Sequence, residues 1–418
     1  MKEGNAGKRL KIFVSAYACE PYKGSEIGVG WHWVLEMSKY YELWVLTRTN
    51  NKDVIEKYFG GCIPNQIHFV YYDCPDFIKM WKKQMRGVRI YYTLWQFGAN
   101  QLIKRVMEEN EIEVFHLLTY GNAIWPVSPY ALSKCFIWGP TGGTDTIERE
   151  FSKHYSLRNR MVEFVRRFVV KLLPVSPAFN ARCKAASLIL CKTSSTFNLI
   201  PVSNKKNAIV FTDVAADITL KNEETFLVDD GVTRFLIVGK LDAWRGYDLL
   251  IEALNKADLD NIQLDIIGDG SERKHILKEI ERYGLDSTIN MVGAVSAEVY
   301  RDYMKRCDVV INTSLKEGAV TVSFDAMAYG KPLLCIDTTG YTRYFDNDCA
   351  IVLERNVSRN EMIDKLSNSL KMLMNRDLRE TLGKNMAMRS DAISWENKGK
   401  EIKKVIDSAY AKYKERCH

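Results

Sequence analysis

The segment RFLIVGKLDAWRGYDLLIEALNKA (residues 234–257) predicts a β-strand, a loop with two cations and an amphipathic helix in direct succession. Its first apolar run suits a buried parallel strand, whereas its later apolar residues recur at helical spacing. Strands that alternate with helices in this way are typical of a doubly wound α/β sheet. The loop from Lys240 to Arg245 is therefore expected at the carboxyl end of a parallel strand.

The same alternation extends in both directions along the chain. In the second half, strands are predicted at 263–270, 289–295, 308–314 and 332–340, with helices that begin at Tyr247, Glu272 and Thr321. In the first half, strands are predicted from Leu10 and at 42–48, 67–72, 114–119 and 135–140, with a turn at 23–29 and a helix at 30–40. This pattern predicts an α/β protein with two facing Rossmann-like doubly wound domains and a cleft between them.

The predicted domain boundaries follow from breaks in this periodicity. Residues 202–232 are polar and poorly periodic, so the linker is placed there. The first domain then covers residues 1–205 and the second covers 206–394. The helix predicted over 395–418 is expected to pack back onto the first domain.

Composition favours a folded protein of two domains. The chain has 418 residues, of which 46% are hydrophobic and 27% are charged, and it has only ten prolines. Its apolar runs are much shorter than the roughly 20 residues that cross a bilayer. The N-terminal residues lack a signal-peptide pattern, so a cytoplasmic location is expected.

Cysteine and histidine spacing indicates neither a disulfide scaffold nor a metal site. Ten cysteines include no CxxC pair, and six histidines include no HExxH motif. Two glycine motifs, at 28–30 and 268–270, lack the third glycine of a dinucleotide-binding loop, and no GxxxxGK[ST] loop is present. We therefore predict no metal and no bound cofactor.

Positive charge is concentrated in the first half of the chain. Residues 1–205 contain 28 basic and 17 acidic side chains, against 31 and 35 in the remainder. The stretches 77–95 and 158–173 mix cations with large apolar residues, which suits either contact with an anionic membrane or a helix with one solvated basic face. Neither stretch belongs to a nucleic-acid module, so nucleic acid is not expected as a partner.

Four charged side chains form the candidate site of the second half. Lys240 and Arg245 flank a predicted strand-to-helix loop, where two cations suit a diphosphate, although two solvated surface cations are the alternative interpretation. Glu317 and Asp325 lie eight residues apart across a second such junction. The backbone N–H groups of Gly318, Ala319 and Val320, between these carboxylates, are predicted to open towards a bound anion.

These motifs resemble those of the family 4 retaining glycosyltransferases of glycosyltransferase group 1, which have the GT-B fold, and the resemblance covers nearly the whole chain. Lys240 and Arg245 match the arginine and lysine that bind the donor diphosphate in that family, with the two residue types exchanged. Glu317 and Asp325 match its Glu-x7-Glu motif, which implies contacts with the transferred sugar and the ribose. Asp325 is one methylene shorter than the family's glutamate.

The first half resembles a bacterial polysaccharide-type subgroup of the same family. ACEPYKGSEIGVGW (residues 18–31) is similar to a loop that lies against the donor diphosphate, and Gly24 and Ser25 are the matching positions. His116 matches a histidine that contacts the transferred sugar, although a structural role is the usual one for a lone histidine. The subgroup also implies a sugar or acceptor contact for Glu20, for which a helix-cap or loop role is the alternative.

The resemblance implies transfer of a sugar from a UDP or GDP sugar to an acceptor hydroxyl, with retention at the anomeric carbon and without a metal. Lys240, Arg245 and Glu317 are the predicted catalytic residues. The expected acceptor is a saccharide, in a lipid-linked form if the basic first half contacts the inner face of an anionic membrane. Three alternatives are a glycosidase that uses Glu317 and Asp325, a GT-B nucleotide-sugar epimerase, and a catalytically weak sugar-nucleotide-binding protein.

Overall fold

The computed structural model describes residues 9–75, 88–222, 230–317 and 320–417. Contacts between Cα atoms divide the chain into two compact units. The first unit comprises Met1–Thr144, Leu172–Asp213 and Lys398–His418, and the second comprises Asp145–Lys171 and Val214–Asn397.

The first unit is built on a parallel sheet of seven strands. In chain order the strands are β1 (Lys11–Ser15), β2 (Glu42–Thr47), β3 (Ile67–Tyr71), β4 (Val114–Leu117), β5 (Cys135–Thr141), β6 (Ala186–Cys191) and β7 (Ala208–Val210). Their order in the sheet is β3-β2-β1-β4-β5-β6-β7. The direction of strand addition therefore reverses between β1 and β4.

The second unit contains a parallel sheet of six strands. These are β8 (Thr233–Val238), β9 (Ile262–Ile267), β10 (Ile289–Gly293), β11 (Val309–Asn312), β12 (Leu333–Ile336) and β13 (Ala350–Leu353). Their order is β10-β9-β8-β11-β12-β13, so the reversal lies between β8 and β11. The two doubly wound sheets confirm the predicted α/β class.

Helices connect the strands within each sheet. They are α1 (Ser25–Ser38), α2 (Lys52–Tyr58), α3 (Val88–Gly98), α4 (Asn100–Glu109), α5 (Arg149–Ser152), α6 (Leu157–Leu172), α7 (Pro177–Ala185), α8 (Ser194–Leu199), α9 (Tyr247–Ala257), α10 (Arg273–Arg282), α11 (Ala297–Arg306), α12 (Thr321–Ala328), α13 (Arg359–Met372), α14 (Arg376–Ala392) and α15 (Trp395–Cys417). Within the described residues, no helix is both long enough and apolar enough to pass through a membrane.

Residues 145–171 group with the second unit, whereas the boundary predicted from the sequence assigned them to the first. Their side chains account for this difference, because Ile147 and Phe151 are buried in the core that α9 and β8 also form. Glu148 adds an ion pair with Arg355, with 3.0 Å between Oε1 and Nε. Most of helix α15 belongs to the first unit, where the Tyr41 hydroxyl donates to Oδ1 of Asp407 over 2.8 Å.

Helix α1 begins at Ser25, within the stretch that the sequence predicted as a turn. The helix requires glycine at its fourth residue, since a Cβ on Gly28 would lie only 1.9 Å from the carbonyl oxygen of Lys23. Gly28 therefore allows close packing of the helix against its own preceding loop. The glycine motif at 28–30, which lacks the dinucleotide-binding fingerprint, is therefore accounted for by this close packing.

Candidate functional site

The candidate site lies where the strand order of the second sheet reverses. Strands β8 and β11 are neighbours there, and ligands of open α/β sheets bind beyond the carboxyl ends of such strands. The loop from Gly239 to Gly246 follows β8, and the loop from Thr313 to Glu317 follows β11. Two segments some seventy residues apart in sequence thus meet at one edge of the sheet.

Arg245 connects these two loops. Its Nη1 donates to Oε2 of Glu317 over 2.6 Å and to Oγ of Ser314 over 3.2 Å. The Thr313 hydroxyl donates to the carbonyl oxygen of Arg245 over 2.7 Å. Gly246 then adopts φ +67°, and a Cβ there would lie 2.5 Å from the Thr313 carbonyl oxygen, so this close approach requires glycine.

The guanidinium of Arg245 is largely enclosed. Its Cζ lies 4.4 Å from the ring centroid of Trp244, and its side chain is 15% exposed. Nε of Arg245 is buried and has no hydrogen-bond partner among the described residues. One strong donor therefore remains available in a site where hydrogen bonds to charged groups contribute most.

A polar network after β11 supports this arrangement and was not predicted from the sequence. Asn312 accepts from the Ser314 hydroxyl over 2.6 Å and donates from Nδ2 to the Tyr341 hydroxyl over 2.6 Å. All three residues are buried. The run of polar residues that ends the apolar segment 308–314 was the available sequence signal, because polar side chains at strand ends often surround a ligand.

Lys240 has a different partner from Arg245. Its Nζ lies 3.3 Å from Oδ2 of Asp242, and 58% of its side chain is exposed. The structure therefore brings Arg245 and Glu317 together, whereas Lys240 pairs within its own loop.

Asp325 lies in α12 and accepts a hydrogen bond of 2.7 Å at Oδ2 from the Tyr300 hydroxyl. Burial raises the pKa of Asp325 to about 7, even though the Tyr300 hydrogen bond acts in the opposite direction. Val320, immediately before α12, is buried. Gly318 and Ala319, two of the predicted anion-binding positions, lie outside the described residues.

A buried ion pair lies directly beside Glu317. Lys316 Nζ pairs with Oε1 of Glu163 on α6, and their side chains are 9% and 5% exposed. Burial, with a contribution from Arg166, lowers the pKa of Lys316 to about 8. The loop that carries Glu317 is therefore fixed to α6 by charge as well as by packing.

The predicted residues of the first unit lie near its own reversal of strand order. Glu20 lies in the loop after β1, and its Oε1 is 3.7 Å from Nζ of Lys23. Gly24 caps α1, and Ser25 begins the helix with φ +57°, an uncommon value for a residue other than glycine. The Glu26 carboxylate accepts from the backbone N–H of Tyr120 over 2.7 Å, which connects this loop to the end of β4.

His116 does not fit the predicted contact with a sugar. Its side chain is completely buried in β4, and its Nε2 donates to the carbonyl oxygen of Gly139 over 2.6 Å. The Trp33 ring packs against it, with 5.7 Å between ring centroids. Burial lowers the pKa of His116 to about 4, so the imidazole is neutral near neutral pH. In this structure His116 is a core residue.

Metal-binding side chains do not cluster in the described parts of the chain. Across residues 9–75, 88–222, 230–317 and 320–417, no group of three or more His, Cys, Asp and Glu side chains is arranged to hold a metal ion.

A match to a known family covers most of the second unit. Residues 220–388 match the family described as glycosyl transferases group 1. The matched segment contains the loop of Lys240 and Arg245 as well as Glu317 and Asp325. A segment of the chain is thus similar to the glycosyl transferases group 1, and the candidate site lies inside that segment.

Two curated relatives are also glycosyltransferases by name. The uncharacterized glycosyltransferase MJ1178 of Methanocaldococcus jannaschii is 28% identical over 52% of this chain and 59% of its own length. The amylovoran biosynthesis glycosyltransferase AmsD of Erwinia amylovora is 27% identical over 28% of this chain and 34% of its own length. The chain is therefore aligned with less than two thirds of the length of either relative.

Two solved structures match nearly the whole chain in fold. The lipopolysaccharide outer core galactosyltransferase WaaB has a TM-score of 0.64 and 14% identity, over 96% of this chain and 99% of its own. HepE of Anabaena, in complex with UDP, has a TM-score of 0.61 and 17% identity, over 96% and 100%. The protein has the two-domain, Rossmann-like GT-B fold.

Proposed function

We propose that this protein is a retaining, metal-independent glycosyltransferase of the family 4, bacterial polysaccharide type. It transfers a sugar from a nucleoside diphosphate donor to an acceptor hydroxyl. The observation that carries the proposal is the contact of Arg245 with Glu317 at the reversal of the second sheet, within the segment that matches glycosyltransferase group 1. A cation for the diphosphate and a carboxylate for the sugar are thereby held side by side.

The chemistry depends mainly on electrostatic stabilisation. The bond between the anomeric carbon and the β-phosphate oxygen breaks, and negative charge develops on the departing diphosphate. The guanidinium of Arg245, with its unused Nε donor, and the ammonium of Lys240 stabilise that charge. The acceptor oxygen attacks from the face that the diphosphate leaves, and its proton passes to a phosphate oxygen.

The remaining residues orient the donor. Glu317 accepts from hydroxyls of the transferred sugar, and Asp325, fixed at one oxygen by Tyr300, accepts from the ribose. Gly318, Ala319 and Val320 supply backbone N–H groups to the diphosphate. Gly24, Ser25 and Glu20 contribute to the donor and acceptor sites from the first unit.

We propose a UDP or GDP sugar as donor and a saccharide of a cell-surface glycan as acceptor. Two similar proteins support this choice, since HepE binds UDP and AmsD is an amylovoran biosynthesis enzyme by name. A lipid-linked acceptor would place the enzyme in the cytoplasm, at the inner face of the membrane. No cofactor is required, and the nucleotide sugar is consumed as a substrate.

A thermal-unfolding panel with UDP, GDP, ADP and their sugars, with and without EDTA, tests donor binding. A nucleotide at a hundred times its Kd adds about 2.7 kcal/mol to the free energy of unfolding, which is a measurable shift. We expect a shift with UDP or GDP that EDTA leaves unchanged. Loss of the shift in EDTA would contradict a metal-independent donor site.

Product analysis distinguishes the other enzyme classes. An epimerase converts the nucleotide sugar without an acceptor, and a glycosidase hydrolyses a simple glycoside without any nucleotide. A binding protein shows the thermal shift but no turnover. We expect sugar transfer that requires both donor and acceptor, with the anomeric configuration retained in the product.

A further inference from the structure

Helix α6 exposes its apolar face to solvent. Six large side chains are 45–81% exposed and recur at helical spacing along its length: Leu157, Met161, Phe164, Val165, Phe168 and Leu172. At roughly 100° per residue they occupy one stripe about 100° wide. An amphipathic helix normally turns such a stripe towards the core, so this orientation requires an explanation.

The opposite face of α6 attaches the helix to the second unit. Glu163 pairs with Lys316, and Arg167 donates from Nη1 to the carbonyl oxygen of Ile147 over 3.0 Å. Val170 is buried on the same side. The helix is therefore held mainly by polar contacts, and its apolar stripe remains available to a partner.

Positive charge flanks the stripe on both edges. Arg158 lies on one edge, whereas Arg160 and Lys171 lie on the other, and all three side chains are exposed. Glu163, the sole acidic residue in the sequence of α6, is buried. The exposed face of the helix therefore combines large apolar residues with cations alone.

We propose that this face of α6 docks the protein on an anionic bilayer, with the helix axis parallel to the membrane surface. An interfacial helix inserts its apolar residues to about 5–10 Å, while flanking cations contact lipid phosphates. A second copy of the chain is a poorer occupant, because a symmetric contact would bring Arg158, Arg160 and Lys171 close to their equivalents without acidic partners.

Docking through α6 also has a direct connection to the candidate site. Glu163, on the inward face of the helix, pairs with Lys316, which is the residue before Glu317. The membrane-bound helix and the loop of the candidate catalytic carboxylate are therefore fixed to each other. This inference rests on the proposed function for its acceptor, since it places a lipid-linked saccharide near that loop.

Vesicle sedimentation of the full chain tests the proposal. The partition constant for phosphatidylglycerol vesicles is expected to exceed that for phosphatidylcholine vesicles. The double variant Phe164→Glu/Phe168→Glu should lower the partition constant for phosphatidylglycerol vesicles by about tenfold or more. Its matched control is Met372→Glu/Met388→Glu, which replaces two exposed methionines of α13 and α14 with the same change in net charge and should bind nearly as well as wild type.

A second variant tests the charge contribution without altering the apolar stripe. Arg160→Gln/Lys171→Gln should lower the partition constant by about fivefold per cation, whereas Lys404→Gln/Lys412→Gln on α15 should lower it much less. Equal binding to both kinds of vesicle, or equal losses in stripe and control variants, would overturn the proposal. So would a wild-type dimer that becomes a monomer in Phe164→Glu/Phe168→Glu without vesicle binding by either protein.

Nucleotide binding, measured on the same variants by thermal unfolding, separates this inference from the proposed function. Every variant is expected to retain the nucleotide shift of the wild type. A nucleotide shift without vesicle binding would reject docking alone. Vesicle binding without any nucleotide shift would reject the proposed donor site and leave the docking surface in place.

Discussion

Arg245 and Glu317, seventy-two residues apart in sequence, form an ion pair with 2.6 Å between Nη1 and Oε2. Arg245 ends the turn after β8, and Glu317 follows β11, so the pair spans the point where the sheet reverses. Each residue positions the other, because both side chains are only about one-sixth exposed. A ligand anion at this point would meet a cation already fixed in orientation.

Replacement of Arg245 by lysine tests the importance of its planar geometry. Arg245→Lys keeps the charge but loses the contact with Ser314 and the free Nε donor. We expect nucleotide affinity to fall about tenfold or more, which corresponds to the loss of one hydrogen bond to a charged group. Arg282→Lys, at an exposed arginine of α10, is the control. Equal affinities for the two variants in isothermal titration would contradict the assigned role.

Lys240 is expected to act more on turnover than on donor binding. Its side chain is exposed and paired with Asp242, so it is free to move onto the diphosphate as charge develops. Lys240→Ala should lower kcat by about a hundredfold while the donor Kd changes by about threefold or less. The control is Lys256→Ala, which removes an equally exposed lysine from α9. A loss confined to the donor Kd would instead indicate ground-state binding.

The raised pKa of Asp325 predicts that donor binding depends on pH. Because its pKa is about 7, its ionised fraction increases as the pH rises through neutrality, and only the carboxylate accepts from both ribose hydroxyls. Nucleotide affinity should therefore increase from about pH 6 to about pH 8 in the wild type and remain flat in Asp325→Asn. A flat wild-type profile in isothermal titration would rule out this role.

The same group predicts an effect on stability with a defined sign. Between about pH 4 and about pH 7, the folded state retains a proton on Asp325 that the unfolded state has lost. The contribution of Asp325 to the free energy of unfolding therefore falls across this range as the pH rises. In urea unfolding, the stability of the wild type relative to Asp325→Asn should decrease from about pH 4 to about pH 7.

His116 predicts a stability change of the opposite sign. Its pKa is about 4 in the folded protein, so the unfolded state binds more protons from about pH 6.5 down to about pH 4. The contribution of His116 to the free energy of unfolding therefore decreases as the pH falls through this range, and it offsets the contribution of Asp325. The difference in free energy of unfolding between the wild type and His116→Gln should shrink as the pH falls from about 6.5 to about 4. A difference that does not change with pH in this range would contradict a neutral buried imidazole.

Because Glu163 and Lys316 form a buried ion pair, substitutions at the two positions should have strongly non-additive effects on stability. Glu163→Gln leaves a buried ammonium without its carboxylate and should cost about 3–5 kcal/mol of stability. Glu163→Leu/Lys316→Met should recover most of this loss, because no buried charge remains. Asp364→Asn, which breaks the exposed pair with Lys256, should cost less than about 1 kcal/mol. If the double variant lost as much stability in urea unfolding as the sum of its two single substitutions, the two residues would act independently.

Local patterns in the sequence predicted most of the secondary structure. The helix predicted from Thr321 begins at that residue, and the strand predicted at 67–72 is observed at Ile67–Tyr71. Strands β6, β7 and β13 were not predicted, because short apolar runs of three to six residues do not distinguish a strand from a buried helix segment. The start of α1 was misplaced because glycines at 28 and 30, which usually disfavour a helix, serve close packing here.

The sequence by itself determined the class of fold and the charged residues of the candidate site, because both depend on alternating periodicity and on residues that follow predicted strands. Only the tertiary structure decided the pairing of Arg245 with Glu317, the burial of His116, the placement of residues 145–171 in the second unit and the outward stripe of α6. These features arise from contacts between residues distant in sequence. A local pattern of apolar and charged side chains does not specify which distant group will face them.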